Sequence, residues 1–368
     1  MKILFDHQIF VRQIHGGISR YFIELMKNFE NDNEIEYKLS LKYSNNYYLK
    51  ELNNLTHKTF LENYSFRGKY TLLNILNKKV SKEYISKGDY DIFHPTYYDS
   101  YFLDYLDKKP FVLTIHDMIH EIYSDMFPLK DKTSKGKKLL AQKATKIIAV
   151  SENTKKDIIR FFGIDTNKIE VIYHGTPFVI NNSSSDKINI DLPKKYILFV
   201  GSRGGYKNFY LFIETITPLL IKDSKLKVVC VGGGNFKEIE KEKFKRLNII
   251  DKIYQYSVND NILAYIYQKA VAFVFPSLYE GFGIPILESF ACGCPVICSR
   301  TSSLPEVAGD ATIYFDPTDK LSMSNNIRKV IYDDDLRKQL INKGNEQVKK
   351  FTWEKTAKQT KKIYENIL

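Results

Sequence analysis

Short hydrophobic runs alternate with helical patterns along the first half of the chain. DIFHPTYY and FVLTIHDMIH each begin with an apolar run that leads into a loop or helix, and ISRYFIELMKNF has the spacing of a helix. KILFDHQIF is predicted to be a strand over its whole length, and EVIYHG closes the series. Strands that alternate with helices in this way predict a parallel sheet with helices on both faces.

The hydrophobic pattern stops over residues 177–195 and then begins again. This stretch, PFVINNSSSDKINIDLPKK, is typical of a linker, and a new strand–loop–helix series starts at YILFVGS. We therefore predict an α/β protein of two doubly wound, Rossmann-like domains at residues 1–178 and 196–352, which face a central cleft. A terminal helix at 353–368 is expected to pack on the first domain. Such sheets bind ligands at the carboxyl ends of their strands, so the site is expected in the cleft.

Length and composition indicate a globular protein without a membrane span. The 368 residues suit two domains, and no apolar run approaches the roughly 20 residues that a transmembrane helix needs. Asp6 interrupts the N-terminus before the core of a signal peptide can develop, so a cytoplasmic location is expected. Buried thiols in a reducing compartment are expected rather than a zinc site, because three of the four cysteines share an apolar segment that has no nearby histidine. The cysteines are Cys230, Cys292, Cys294 and Cys298.

The formal net charge is +12, and two stretches of the otherwise slightly acidic first half are strongly basic. Residues 64–87 hold six basic groups and one acid, and residues 130–146 hold seven lysines and one aspartate. The first stretch is predicted to form a basic amphipathic helix, which could rest on anionic lipid or bind an acidic substrate. A solvated lysine-rich surface is an equal alternative. Nucleic acid is disfavoured because no recognition motif accompanies the charge. The apolar residues of the helix are Tyr70, Leu72, Leu73, Ile75 and Leu76.

Two glycine loops follow predicted strands. In HGGISRYF, Gly16 and Gly17 precede a helix, whose bare N–H groups and dipole favour an anion such as a phosphate. GSRGGYKN repeats the design in the second half and adds Arg203 and Lys207. Two cations beside a glycine loop favour a diphosphate over a purely structural turn.

Histidines cluster near the predicted strand ends of the first domain. His116 follows the run FVLTI, His94 and His174 occupy similar strand ends, and His120 lies one helical turn beyond His116. Such a histidine can hydrogen-bond a ligand or only the backbone of its own loop. The clustering favours a polar cleft.

The segment EGFGIPILE combines two carboxylates with a glycine turn and a short helix. Glu288 lies one helical turn from Ile284, Pro285, Ala291 and Cys292, so it sits on an apolar face. A charge there is costly unless a hydrogen-bonding partner satisfies it. A ligand that carries hydroxyl groups would do so.

EGFGIPILE resembles the Glu–seven residues–Glu motif of retaining glycosyltransferases of the GT4 family, which have the GT-B fold. The resemblance covers nearly the whole chain and includes HGGISRYF, IHD, AVSENTKKDI, VIYHG, GSRGGYKN, LPEVAGDATIYFDP and FTWEKTA. It implies that domain 1–178 binds the acceptor and domain 196–352 binds a nucleotide-sugar donor. The family commonly has an arginine directly before the lysine that matches Lys207, whereas this chain has Tyr206 there, with Arg203 three residues earlier.

The resemblance also implies roles for single residues. Glu280 would contact the donor sugar, Glu288 the ribose hydroxyls, and Lys207 the diphosphate. His116 would meet the sugar from the acceptor side. The remaining donor-binding residues would be Gly16, Gly17, Ser202, Arg203, Val258, Phe282, Gly283 and Ile284.

The function so implied is transfer of a sugar from a nucleotide diphosphate to a glycan or lipid-linked acceptor, with retention and without a metal or other cofactor. Resemblance to polysaccharide enzymes suggests GDP-mannose as the donor, with UDP- or dTDP-sugars as alternatives. The product would serve surface polysaccharide assembly, and residues 64–87 and 130–146 could contact the inner face of the plasma membrane. A related phosphorylase or epimerase, or a non-catalytic basic protein that binds carbohydrate or a membrane surface, are the competing hypotheses.

Overall fold

A computed structural model describes residues 1–53, 55, 57–62, 64, 66–176, 178 and 190–368. The chain divides into two compact units. Unit 1 holds Met1–His174 together with Trp353–Leu368, and unit 2 holds Gly175–Thr352. Most of the predicted linker 177–195 lies outside the described residues.

The described residues of unit 1 form six parallel strands in two three-stranded sheets, with the orders β2-β1-β3 and β4-β5-β6. A single bridge between Phe93 and Phe111 connects the two sheets. The strands are β1 Lys2–Asp6, β2 Glu36–Ser40, β3 Ile92–His94, β4 Val112–Ile115, β5 Lys146–Ala149 and β6 Ile169–Val171.

Helices pack around the two sheets of unit 1, and the C-terminal helix Trp353–Glu365 is one of these helices. Its buried residues Trp353, Ala357, Ile363 and Tyr364 belong to the same hydrophobic core as Phe5. Apolar residues on one helical stripe bury against the sheet, which stabilises the unit. The other helices of unit 1 are α1 Gln8–Arg12, α2 Gly17–Phe29, α3 Lys69–Lys87, α4 Ile119–Ile122, α5 Thr133–Lys143 and α6 Glu152–Phe162.

Two predictions for unit 1 are wrong in detail. KILFDHQIF is a strand only as far as Asp6, whose buried carboxylate accepts hydrogen bonds from Gln8 and Thr96 and so ends the strand ladder. The helix predicted within residues 64–87 is present as α3, but the apolar residues predicted to form its one apolar face are divided: Leu73 is buried, whereas Leu72 and Ile75 face solvent.

In the part of unit 2 that the structure describes, six strands form one parallel sheet with the order β12-β11-β10-β7-β8-β9. Its strands are β7 Lys195–Val200, β8 Leu226–Val231, β9 Ile253–Tyr256, β10 Ala272–Phe275, β11 Val296–Ser299 and β12 Thr312–Phe315. The chain runs from β7 outward to β9 and then returns to β10 on the other side of β7. The strand order therefore reverses between β7 and β10, where doubly wound sheets bind their ligands. The helices are α7 Phe209–Lys222, α8 Glu238–Arg246, α9 Asp260–Lys269, α10 Ile284–Ala291, α11 Leu304–Ala308, α12 Lys320–Tyr332 and α13 Asp334–Val348.

The predicted fold class, α/β with Rossmann-like parallel sheets in two units, is confirmed. Within the described part of the chain, every helix is too short or too polar to cross a bilayer.

Candidate active site

A buried ion pair marks the point in unit 2 where the strand order reverses. Lys207 lies in the loop after β7 and Glu280 in the loop after β10, and these two strands are neighbours. The Lys207 Nζ is 2.6 Å from the Glu280 Oε1, and the two side chains are only 14% and 11% exposed. The fold thus brings together a cation and a carboxylate that both lie at the expected ligand-binding edge.

Hydrogen bonds from neighbouring loops hold the backbone around Glu280. The Glu280 N–H donates to the Ser302 Oγ at 2.9 Å, and the Ser303 Oγ donates to the carbonyls of Glu280 and Phe282. Sequence reasoning missed both serines. Their position directly after β11, in the strand-end segment TSSLPE, is the signal that could have identified them.

Gly283 makes the turn into α10 and cannot easily be replaced. Its φ of 110° lies in the region that favours glycine, and a Cβ atom there would lie 3.0 Å from Leu304 Cδ2. Helix α10 begins at Ile284, with Pro285 in its first turn. The Ile286 N–H donates to the Gly283 carbonyl at 2.9 Å, which closes this first turn. The start of a helix is a place where proteins bind anions.

Glu288 has a hydrogen-bonding partner within unit 2. The hydroxyl of Tyr267, on α9, donates to Glu288 Oε2 at 3.1 Å. Burial and the adjacent carboxylate hold the pKa of Tyr267 well above its usual value, so the hydroxyl remains a donor. Glu288 itself is half-buried. Tyr267 therefore supplies part of the hydrogen bonding that the Glu288 carboxylate needs on this apolar helix face. From the sequence, only a ligand was expected to supply it.

The structure gives Arg203 partners within unit 2, which argues against its predicted use as a second cation for a diphosphate. Its guanidinium donates to Glu240 and to the carbonyls of residues 232–235, and the side chain is 3% exposed. These bonds use its Nε, Nη1 and Nη2 atoms to fix the glycine loop after β8. The polar groups nearest to the guanidinium are carbonyls and a carboxylate of unit 2, and its hydrogen-bond donors are directed at them.

The other predicted donor-binding residues also follow strand ends of unit 2. Ser202 is exposed in the loop after β7, Val258 is half-buried in the loop after β9, and Phe282 is buried. The structure places them at one edge of one sheet. Their contacts with a ligand remain predictions.

His116 of unit 1 lies directly after β4 among aromatic rings. Its ring stacks on His174 at 5.8 Å and meets Tyr21 edge-on at 5.1 Å. Burial, followed by the nearby His94 and Lys137, lowers the pKa of His116 to about 3, so the imidazole is neutral. Its Nε2 is buried and makes no hydrogen bond to any described residue. A neutral imidazole can form one hydrogen bond at this position, and contact of His116 with a sugar stays a prediction.

The structure gives the clustered histidines different surroundings, and a polar cleft at their strand ends stays a prediction. His94 is fully buried, and its ring nitrogens bond Tyr364 and Thr114 at 2.6 and 2.9 Å. His120 stacks on Phe127 with ring centroids 3.9 Å apart. The histidines lie near strand ends, as the sequence predicted. Aromatic side chains pack around their rings, and sequence spacing does not predict these neighbours.

The first glycine loop is held by Gln13. Gly16 precedes α2 with extended backbone, and a Cβ atom there would lie 2.3 Å from the Gln13 Oε1. The same oxygen accepts the N–H of Ser19 in the first helical turn. A side chain at position 16 would displace this Gln13 amide, and a phosphate role for Gly16 and Gly17 remains a prediction.

One lysine of the basic stretch 130–146 lies in the core. Lys137 on α5 is fully buried, and its Nζ donates to the Asp117 carbonyl at 2.8 Å and to Glu121 Oε2 at 2.9 Å. It thereby anchors the segment that follows His116. Gly136 permits this packing, since a Cβ atom there would lie 2.3 Å from the Tyr98 carbonyl oxygen.

The cysteines are all free, and burial raises the pKa of Cys294 and Cys298 to about 12. Among the residues that the structure describes, no group of three or more His, Cys, Asp or Glu side chains could hold a metal ion. Metal independence of the reaction remains a prediction.

Two family models match the chain, one to each half. The model described as Glycosyltransferase Family 4 matches residues 15–177, and the model described as Glycosyl transferases group 1 matches residues 181–347.

Individual relatives cover parts of the chain. O-antigen chain mannosyltransferase B of Escherichia coli is 47% identical over 107 residues, which are 29% of this chain and 28% of that protein. O-antigen chain mannosyltransferase RfbU of Salmonella typhimurium is 29% identical over 219 residues, which are 59% of this chain and 60% of that protein. The chain thus matches less than two thirds of the length of either relative.

Among solved structures, Anabaena HepE in complex with UDP and glucose is similar over 99% of both chains. The TM-score is 0.75 and the sequence identity is 18%. At this identity the similarity shows the fold alone, which is GT-B.

Proposed function

This chain belongs to the GT4-type glycosyltransferases, and we propose that it transfers a sugar from a nucleotide diphosphate to a hydroxyl group of a glycan or lipid-linked glycan, with retention. The observation that carries the proposal is the Lys207–Glu280 pair at the point where the strand order of unit 2 reverses. A diphosphate gains negative charge as the glycosidic bond breaks. Lys207 and the start of α10 are suited to stabilise that charge electrostatically.

In the proposed reaction the acceptor oxygen bonds to the anomeric carbon while the bond to the diphosphate oxygen breaks. The acceptor proton passes to the departing phosphate on the same face of the sugar. Glu280 positions the sugar and is not a covalent nucleophile. Glu288 binds the ribose hydroxyls, and the neutral His116 imidazole hydrogen-bonds the sugar. No metal takes part in this scheme.

We assign GDP-mannose as the first donor to test, because two relatives of the chain are named mannosyltransferases. UDP-sugars come next, because HepE of the same fold was crystallised with UDP and glucose. A lipid-linked acceptor at the cytoplasmic face of the membrane, used in surface polysaccharide assembly, fits the O-antigen names of the relatives and the basic stretches of unit 1.

A thermal-shift screen tests the donor site. Purified protein in EDTA is melted with GDP, UDP, dTDP, ADP and their sugar conjugates, and a ligand at about 100 times its Kd should stabilise the fold by roughly 2.7 kcal/mol. One nucleotide family should raise the melting temperature. Glu288→Ala and Lys207→Gln should each abolish the rise.

Matched controls are Asp310→Ala and Lys195→Gln, which change exposed or half-exposed ion pairs of unit 2 away from the site. Both control variants should show the same nucleotide-induced rise in melting temperature as the parent. Absence of any shift, together with binding to anionic vesicles, would favour the non-catalytic surface-binding protein over the transferase.

A further inference from the structure

Residues 232–237, which follow β8 and which we call the β8 loop, are arranged around one buried guanidinium, that of Arg203. Its nitrogens donate to the first four carbonyls of the loop at distances between 2.9 and 3.3 Å. The ring of Phe236 lies 4.8 Å from the guanidinium carbon. The Lys237 N–H donates to Glu240, whose carboxylate also accepts the Arg203 Nε at 2.8 Å. One side chain therefore fixes the whole loop.

The carbonyls of the β8 loop point toward Arg203, so its N–H groups point the other way. Every described peptide bond is trans, and a planar trans peptide directs its N–H opposite to its carbonyl. The N–H groups of residues 233–236 thus lead away from the guanidinium. None of them donates a hydrogen bond to a residue that the structure describes. Successive N–H groups of a turn form concave sites that bind anions.

Three glycines make this arrangement possible. Gly232, Gly233 and Gly234 have φ angles of 87°, 70° and 70°, which other residues rarely adopt. A Cβ atom at Gly233 would lie 2.8 Å from the Arg203 Nη1, whereas one at Gly234 would meet no atom within 4 Å. Packing against Arg203 thus accounts for Gly233. At Gly234 the backbone is exposed, and a ligand can approach it closely.

The β8 loop lies beside the ion pair of the candidate active site. Strands β7 and β8 are parallel neighbours, so the loops that follow them share one edge of the sheet. A Cβ atom at Gly232 would lie 3.5 Å from the Gly201 carbonyl oxygen, and one at Gly201 would lie 3.9 Å from the Lys207 Cε. Gly201 therefore lies between the β8 loop and the side chain of Lys207.

We propose that the N–H groups of residues 233–236 bind oxygen atoms of the nucleoside diphosphate, and that Arg203 is a positioning residue that shapes the β8 loop without touching the ligand. The inference rests on the proposed function, because it concerns the donor site of the same enzyme. The alternative is direct contact between Arg203 and the diphosphate. That contact would require the guanidinium to leave its four carbonyls and would strand the buried carboxylate of Glu240.

NMR of the full chain, with isotope-labelled glycine, tests whether the β8 loop binds the nucleotide. The ligand is whichever of GDP, UDP, dTDP and ADP raises the melting temperature most in EDTA. It should move the amide resonance of Gly234, which is identified by its absence from Gly234→Ala. The matched control is Gly163 of unit 1, whose φ is 67° and whose Cβ position is also open. Its resonance should stay in place. A Gly234 resonance that does not move at saturating nucleotide would overturn the proposal.

Nucleotide affinity tests the loop backbone independently. Gly234→Ala should raise the Kd by about tenfold, because a side chain on the left-handed backbone shifts the N–H groups and weakens their hydrogen bonds. Gly163→Ala introduces the same backbone strain away from the site and should leave the Kd unchanged. Equal affinity of these two variants would contradict a role for the β8 loop.

Variants of Arg203 distinguish a positioning role from a direct cation. Arg203→Lys should raise the Kd by about tenfold or more, because an ammonium cannot replace the fork of donors that holds the loop. Arg203→Met/Glu240→Leu removes both buried charges, which protects folding, and should bind as weakly. Neither variant should alter the salt dependence of the Kd, whereas Lys207→Gln should reduce it.

Melting curves show which of these variants are folded. Parent-like affinity in folded Arg203→Lys would overturn the proposal, because a positive charge alone would then suffice. Parent-like affinity in Arg203→Met/Glu240→Leu would overturn it as well. In both cases the parent still binds nucleotide, so the proposed function stands. A parent that binds none of the four nucleotides would instead remove the donor site and this inference together.

Discussion

At the scale of single residues, hydrogen-bond partners decide which charged groups remain available for a ligand. Arg203 and Lys207 follow the same strand, yet the guanidinium of Arg203 donates its hydrogen bonds to Glu240 and to backbone carbonyls. Lys207 contacts a single carboxylate, that of Glu280. An approaching diphosphate can share the ammonium of Lys207, whereas recruiting Arg203 would leave a buried carboxylate unpaired, at a cost of several kcal/mol.

Buried neutral histidines predict that unit 1 loses stability in acid. Burial lowers the pKa of His94 to about 3, below the roughly 6.5 of an unfolded histidine. Between these values the unfolded chain binds more protons, so the free energy of unfolding falls as pH falls below about 6.5. His94 alone should cost about 2 kcal/mol at about pH 5.

The measurement is urea unfolding at neutral pH and in mild acid, followed by Trp353 fluorescence. His94→Gln should lower stability at neutral pH, because the bonds to Tyr364 and Thr114 change, but should flatten the pH dependence. The exposed His15→Gln serves as the control and should behave as the parent. If His94→Gln lost as much unfolding free energy in mild acid as the parent does, the prediction would be contradicted.

At the scale of elements, a buried ion pair joins α5 to the segment after β4. Lys137 is fully buried, and the side chain of its partner Glu121 is 4% exposed. The lysine also donates to the Asp117 carbonyl, one residue after His116. Helix α5 therefore holds the backbone that carries the predicted active-site histidine.

Lys137→Met should destabilise unit 1 by about 3–5 kcal/mol, because it leaves the buried Glu121 carboxylate uncompensated. Lys137→Met/Glu121→Leu should recover part of that loss, since both buried charges are then gone. Lys138→Met, at the exposed neighbouring position, should have little effect. Urea unfolding by Trp353 fluorescence measures all three. A loss below about 1 kcal/mol for Lys137→Met would mean that the pair matters little.

At the scale of the whole molecule, the two ends of the chain build the same unit. The C-terminal helix contributes Trp353, Ala357, Ile363 and Tyr364 to a core that also contains Phe5 and Phe22. Lys361 pairs with Asp32 at 2.8 Å, and the Tyr364 hydroxyl bonds His94. Unit 1 is therefore complete only when the last helix of the chain is present.

A chain that ends at Thr352 should lose the stable fold of unit 1, because the core residues of the C-terminal helix leave a large cavity. Unit 2 lacks none of its own elements in this variant. Limited proteolysis with mass spectrometry should show early cleavage within residues 1–174 and later cleavage in unit 2. A chain that ends at Glu365 is the control and should resist like the parent. Equal resistance of both truncations would contradict the prediction.

The sequence by itself determined the features that depend on neighbouring residues. The order of strands and helices follows from hydrophobic periodicity, which is local, and the start of α10 follows from Gly283 and Pro285. The Glu–seven residues–Glu motif identified the family, which the family models support. The motif also selected Glu280, and the glycine loop GSRGGYKN selected Lys207; the fold brings these two residues together.

Only the tertiary structure decided which of the selected groups have partners. Lys207 and Glu280 are 73 residues apart, Arg203 and Glu240 are 37 apart, and Tyr267 and Glu288 are 21 apart. Sequence spacing carries no information on such contacts, since the sheet order sets them. For the same reason the basic stretches looked alike in sequence, although folding buries Lys137 and leaves Leu72 and Ile75 exposed. Local pattern determines elements, and the burial of one element against another determines which side chains remain available.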